Sequence, residues 1–269
     1  MAAANPGVVY ASVTGFGQDG PEAPRAGYDF IIQAMGGIMD LTGEPDGPPQ
    51  KPGVAYADLF TGMYGTVAVL AALHLRERTG RGQWIDLSLF DTQLAVLANQ
   101  AANHLIGGAT PRRMGNAHPN IVPYQVFAAA DGPLVITCGN DGQFARLCEG
   151  LGLALHRDPR LRTNPGRLAH RAEVVAALEA RLGGMPRAAV LAAMDAAGVP
   201  AGPINSVAEA LAEPQAVARG MVQEIGGSRS IRSPLRFSDA ELAADRPPPG
   251  LDEHGAAIRA ALAGGADWP

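Results

Sequence analysis

A chain of 269 residues with a formal net charge of −5 has the length of one large domain or two small ones and carries no basic block to hold nucleic acid. An apolar fraction of 47% is ordinary for a globular protein, and the longest apolar run, Thr66 to Leu73, is far too short to cross a bilayer. Cys138 and Cys148 give no disulfide framework and read as buried free thiols; the six histidines lack metal-binding spacing, so no metal site is expected.

The first predicted element is a strand, Val8 to Thr14. It opens with no preceding element, yet a strand buried on both faces needs neighbours, so further strands are expected before it or from another chain. The start, Met1 to Pro6, lacks the basic region and apolar stretch of a secretory signal, which makes the cytoplasm the default location. Gly15 to Pro21 is loop by its glycine and proline content. Arg25-Ala26-Gly27-Tyr28-Asp29 then leads into a helix expected from Phe30 to about Leu41, and the proline-rich stretch Gly43 to Pro52 is a surface loop.

From Leu59 to Arg78 the sequence predicts a long helix, stopped at Thr79-Gly80, where glycine can take the left-handed conformation. It is apolar on nearly all sides, which places it in the interior of a layered domain. Asp58 stands at its start, where unpaired N–H groups and the positive end of the helix dipole lie. Such a carboxylate stays ionised and points in a fixed direction, as a nucleophile must. The same position fits an ordinary N-cap. After a turn at Gly80-Arg81-Gly82-Gln83, Trp84 to Leu89 alternates as a strand, and Phe90 to Ile106 resumes as helix.

Composition shifts at Thr110 to Pro123, an irregular linker containing Gly115-Asn116-Ala117-His118-Pro119. Strands Tyr124–Ala129 and Leu134–Cys138 follow, joined at Asp131-Gly132, a strong hairpin signal. Helices are expected at Gln143–Leu151, Arg171–Leu182 and Pro186–Ala197, then an extended Val199–Ile204. Short helices over Val207–Gly220, a strand at Met221–Ile225 and a last helix at Asp252–Leu262 complete the reading. The fold class is α/β: a large domain over residues 1–110, a small α+β domain over 111–205, and a segment 206–269 returning to the large domain.

A serine-hydrolase elbow and a P-loop are both missing, and Gly15-Phe16-Gly17 lacks the third glycine of a dinucleotide fingerprint. His104, His118, His170 and His254 are isolated; His118 stands out because it shares a glycine-bearing linker with Asn116. Long Gly/Pro loops around a helix-start aspartate remain as the chemical signal.

Several blocks, in order, then carry a resemblance. Tyr10-Ala11-Ser12-Val13-Thr14-Gly15-Phe16-Gly17-Gln18-Asp19-Gly20-Pro21, Arg25-Ala26-Gly27-Tyr28-Asp29, Asp58 with Gly62-Met63, Gly80-Arg81-Gly82-Gln83 and Pro200-Ala201-Gly202-Pro203-Ile204 resemble the family III CoA-transferases, the CaiB/BaiF family, relatives of formyl-CoA transferase and the 2-methylacyl-CoA racemases. The segments 102–107, 117–125 and 139–144 look most like members that use succinyl-CoA and short dicarboxylates such as glutarate.

The resemblance implies that Asp58 is the catalytic nucleophile, attacking an acyl-CoA thioester to form a mixed anhydride and then an aspartyl-CoA thioester. It implies that Arg25, Gly27, Tyr28 and Asp29 line the CoA site, with CoA a co-substrate and not a resident cofactor. Gly115, Asn116 and His118 are expected at the acid substrate. The racemase branch carries histidine where Tyr28 stands, and a phenol is a poor base at neutral pH, so CoA transfer is favoured over racemisation. The resemblance further implies a homodimer of interlocked rings whose Rossmann-like half is incomplete here, which leaves a non-catalytic fragment as the third reading.

Overall fold

A helix that returns the chain between two parallel strands makes a β-α-β unit, and the first part of this chain is built around one. Strands β1 (Val9–Thr14) and β2 (Gln83–Ser88) pair in parallel in the computed structural model, which describes residues 2–242 and 246–264, with Ser12 opposite Asp86 and Thr14 opposite Ser88. Between them come α1 (Asp29–Met35), α2 (Ile38–Leu41) and α3 (Tyr56–Thr79). The single helix expected from Phe30 to Leu41 is broken because Gly36-Gly37 intervenes and Gly37 sits at φ +86°, a conformation only glycine takes cheaply.

The long helix starts three residues earlier than Leu59 and ends as expected, Gly80 donating its N–H to the Arg76 carbonyl at 2.8 Å. Its interior placement is not what the chain shows. Only Ala57, Thr61 and Ala72 are buried, and Leu59, Met63, Val67 and Leu70 are exposed along one stripe. The physical reason is that a two-stranded sheet with α1 and α4 (Leu89–Ala95) covers one side of α3 and leaves the other bare. By length and composition alone these 24 residues would suffice to cross a bilayer, more than the apolar run Thr66–Leu73 indicated. The covered side has another use, packing on β1 and β2.

The expected helix Phe90–Ile106 is also two pieces, α4 and α5 (Ala98–Leu105), with Ala98 at φ +49° in the break. No glycine or proline marks that point, so periodicity ran through it. Ser88 caps α4 by accepting from the Asp91 N–H. The core here is small: Ile32, Ala57 and Leu89, with Phe16 and Phe90 against them.

A larger core follows. Strands β3 (Tyr124–Ala129), β4 (Gly132–Thr137) and β5 (Ala201–Pro203) form a sheet in that order. The hairpin turns at Ala130-Asp131, one residue before the expected pair, because Ala129 pairs with Gly132. Against the sheet lie α6 (Asp141–Leu151), α7 (Asn164–Ala169), α8 (Arg171–Leu182) and α9 (Arg187–Ala196). Helix α7, capped by Thr163 with proline in its first turn, is too short to show a period and has no counterpart among the expected elements. Phe127, Leu134, Ile136, Phe144, Leu147 and Leu178 are fully buried, as are both free thiols, Cys138 and Cys148. Burial pushes those thiols up to about 12 and about 11.

The chain divides into two compact units, Met1–Gly202 and Pro203–Pro269. In the second, α10 (Val207–Ala212) opens with a capping box between Ser206 and Glu209, followed by α11 (Pro214–Ala218). Strands β6 (Val222–Ile225) and β7 (Ser228–Ile231) make an antiparallel hairpin, and α12 (Gly255–Ala263) comes last. The second strand of that hairpin, exposed throughout and polar but for Ile231, gave no sequence signal.

Candidate active site

Helix α3 runs antiparallel to β1 and β2, so its first turn lies at the carboxyl ends of the strands, where open α/β sheets bind ligands. Ala55 holds the N-cap position and has no side chain to accept from the first N–H groups. A second helix supplies the acceptor. Asp29, first residue of α1, takes the Ala57 N–H on Oδ1 at 2.8 Å and, more weakly, the Asp58 N–H at 3.4 Å. Gln33, one turn along α1 and fully buried, donates Nε2 to Asp29 Oδ2 at 2.6 Å and reaches the Val54 carbonyl at 3.4 Å.

Asp58 is therefore not the cap. It is the third residue of the helix, and among the described residues its carboxylate makes no hydrogen bond or ion pair. Partial desolvation, and then the negative charge of Asp29, raise its pKa above the ordinary aspartate value. The direction opposes the expectation of an acid held ionised by the helix dipole, because two carboxyl groups share one helix start. Beside Asp58 a groove of about 340 Å³ runs between β1 and α3, lined by Ala11, Val13, Thr61, Gly62, Val69 and Leu89. An unpaired carboxylate at the mouth of an apolar groove can attack a carbonyl carbon presented there.

The loop after β1 is tied to the strand ends: Gly17 N–H to Thr14 Oγ1 at 2.9 Å, Gln18 N–H to Asp86 Oδ2 at 2.9 Å and Gln18 Nε2 to Ser12 Oγ at 2.6 Å. Gly27 closes on this loop, since a Cβ on Gly15 would fall 2.6 Å from the Gly27 Cα. Arg25 pairs with Glu22 at 2.9 Å and lies over the Phe16 ring at 5.4 Å. Tyr28 is 81% exposed. Three of the four residues expected at CoA thus cluster on the loop, and the fourth, Asp29, is turned onto α3.

The linker residues lie elsewhere. Gly115 donates its N–H to the Gly43 carbonyl at 3.0 Å beside the Glu44 carboxylate, and Asn116 is exposed. His118 is held more tightly. Its Nδ1 accepts the Asn120 N–H at 3.0 Å, its ring packs 5.1 Å from that of Tyr124, and its carbonyl accepts from Arg171 at 2.8 Å. The bond at Nδ1 assigns the ring proton to Nε2. Burial, then the Arg171 charge, lowers its pKa, so the ring is a neutral donor. Among the described residues no hydrogen bond joins 115–118 to Asp29 or Asp58. Sequence reasoning missed Gln33, Arg171 and the amide cluster in which Asn99 and Asn103 meet Asn120; each acts across a long stretch of chain, and no motif marks it.

Residues 1–255 match the family model described as CoA-transferase family III. The chain belongs to that family. It is 48% identical to the succinate–glutarate CoA-transferase of Agrobacterium fabrum, covering 96% of this chain and 66% of the relative. It is 44% identical to the acetyl-CoA:oxalate CoA-transferase of Acetobacter aceti, over 96% and 67%, and 44% identical to the succinyl-CoA:glutarate CoA-transferase of Mus musculus, over 93% and 58%. Among solved structures, a CaiB/BaiF family protein from Brucella suis superposes with a TM-score of 0.83 at 56% identity, covering 97% of this chain and 69% of that one. The chain thus spans between about 58% and 67% of the length of these curated relatives. The fold expectation of an α/β member of this family holds.

Proposed function

We propose that the protein moves CoA between an acyl-CoA, succinyl-CoA among the candidates, and a short carboxylic or dicarboxylic acid, with Asp58 as nucleophile. The observation that carries the reading is the Asp58 carboxylate, free of partners among the described residues at the mouth of the apolar groove, while Asp29 does the capping that would otherwise explain an aspartate there. The names of the relatives support the substrate class. They are transferases acting on glutarate, succinyl-CoA and oxalate.

In this reading Asp58 attacks the thioester carbonyl and CoA leaves as thiolate, giving a mixed anhydride. The thiolate attacks the aspartyl carbonyl, releases the first acid and leaves CoA on Asp58 as a thioester. The acceptor carboxylate then reverses both steps. Each tetrahedral stage needs hydrogen-bond donors for its oxyanion. The N–H groups of Tyr56, Ala57, Asp58 and Leu59 are all engaged, by Val54, Asp29, Asp29 and Ala55. The donors are therefore assigned to the glycine-bearing loops. Arg25, Gly27 and Tyr28 are assigned to CoA, and Gly115, Asn116 and His118 to the acid, with His118 offering its Nε2–H to a carboxylate. The interlocked homodimer belongs to the same proposal.

The test incubates the protein with succinyl-CoA and isotopically labelled glutarate. Label is expected in CoA ester, and Asp58→Ala is expected to abolish it. Mass spectrometry of a trapped turnover should place the adduct on the peptide containing Asp58. Exchange that survives in Asp58→Ala, or an adduct on another residue, would end this reading.

A further inference from the structure

We propose that Asp29 is a positioning residue for the Asp58 nucleophile, not a ligand of CoA. An N-cap acceptor serves the N–H groups of the second and third helical residues. Ala57 and Asp58 hold those two places in α3, and the accepting oxygen comes from a residue 28 positions earlier. Gln33, four residues after Asp29 on the same face of α1, fixes the other carboxylate oxygen and touches the Val54 carbonyl. Helix α1 therefore grips the start of α3 at three backbone points, Val54, Ala57 and Asp58. Both oxygens of Asp29 are committed, one of them to a fully buried amide. A carboxylate so engaged is poorly placed to contact CoA, and its negative charge would repel the CoA phosphates.

Geometry decides what this clamp does. The Asp58 side chain leaves the backbone at the residue whose own N–H is held, so the direction of its carboxylate follows the clamp. The remaining Gln33 oxygen is buried and has no partner. Turning that amide over would let it accept from an asparagine placed at position 29, whose own oxygen would keep the cap. Capping and charge can therefore be separated by substitution.

The inference rests on the reading of Asp58 as nucleophile, and the experiment keeps the two apart by running Asp58→Ala beside Asp29→Ala, Asp29→Asn and Asp29→Glu in the CoA-exchange assay. If Asp58→Ala keeps activity, the nucleophile reading fails before position 29 is judged. With that control inactive, Asp29→Ala is expected to lose about 100-fold in kcat, the cost of misplacing a reacting group by about 1 Å, with KM for acyl-CoA unchanged. Asp29→Asn should recover most of kcat. Asp29→Glu keeps the charge but shifts the accepting oxygen by a methylene, and should fall below Asp29→Asn. That order holds the test open even if Asp29→Ala does not fold. A raised KM with kcat kept would make Asp29 a CoA contact and overturn the proposal. Asp29→Glu more active than Asp29→Asn would overturn it as well, since charge and not aim would then matter.

Discussion

The most exposing test of the packing beneath the linker is Arg167→Leu. Arg167 is fully buried, lies 4.5 Å over the Phe144 ring, and spends its guanidinium on four acceptors. Nε donates to the Val122 carbonyl at 2.7 Å, Nη1 to the carbonyls of Leu161 and Arg162 at 3.1 and 3.2 Å, and Nη2 to Asp141 Oδ1 at 2.8 Å. Leucine fills part of the volume but leaves the Val122 and Leu161 carbonyls buried without a donor. Each such loss costs about 1–3 kcal/mol. Asp141 adds little, because its side chain is 51% exposed and rehydrates. The expected destabilisation for the two carbonyls is about 2–6 kcal/mol, read as a fall in the urea midpoint by far-UV circular dichroism with the slope unchanged. Asp141→Asn, which keeps an acceptor, should cost less than about 1 kcal/mol. Equal losses from the two substitutions would refute the argument, since the salt bridge and not the capture of buried carbonyls would then dominate.

The acid limb of transferase activity is expected above the ordinary aspartate value. In the proposed mechanism Asp58 attacks only when ionised, and burial and Asp29 raise its pKa, so activity is gained as pH rises through that raised value. Asp29→Asn removes one of the two causes and should move the limb to lower pH, measured as kcat/KM against pH; an unmoved limb would show that the Asp29 charge does not act on Asp58. Cys138 and Cys148, with thiols pushed up to about 12 and about 11 by burial, should resist a thiol-directed disulfide reagent at pH 8 until denaturant is added. Fast modification of the native protein would contradict their burial.

Much was legible in the sequence because it was local. Gly80 marks the end of α3, the alternation over residues 84–89 marks β2 to within one residue, and α8 runs from Arg171 to Leu182 as its period predicts. The order of short blocks around Asp58 sufficed for the family. A helix-start aspartate, however, is both a natural cap and a natural nucleophile, and the one-dimensional pattern offers no means to separate them. Tertiary structure removes the cap reading by bringing Asp29 across to the N–H of Ala57, so that one carboxylate caps the helix and the other is left free. It also decided that α3 keeps a bare apolar side, because hydrophobicity states what a helix would bury and only the neighbouring elements decide what covers it. Periodicity records the demands of each segment on its own; contacts between distant segments settle which demands are met.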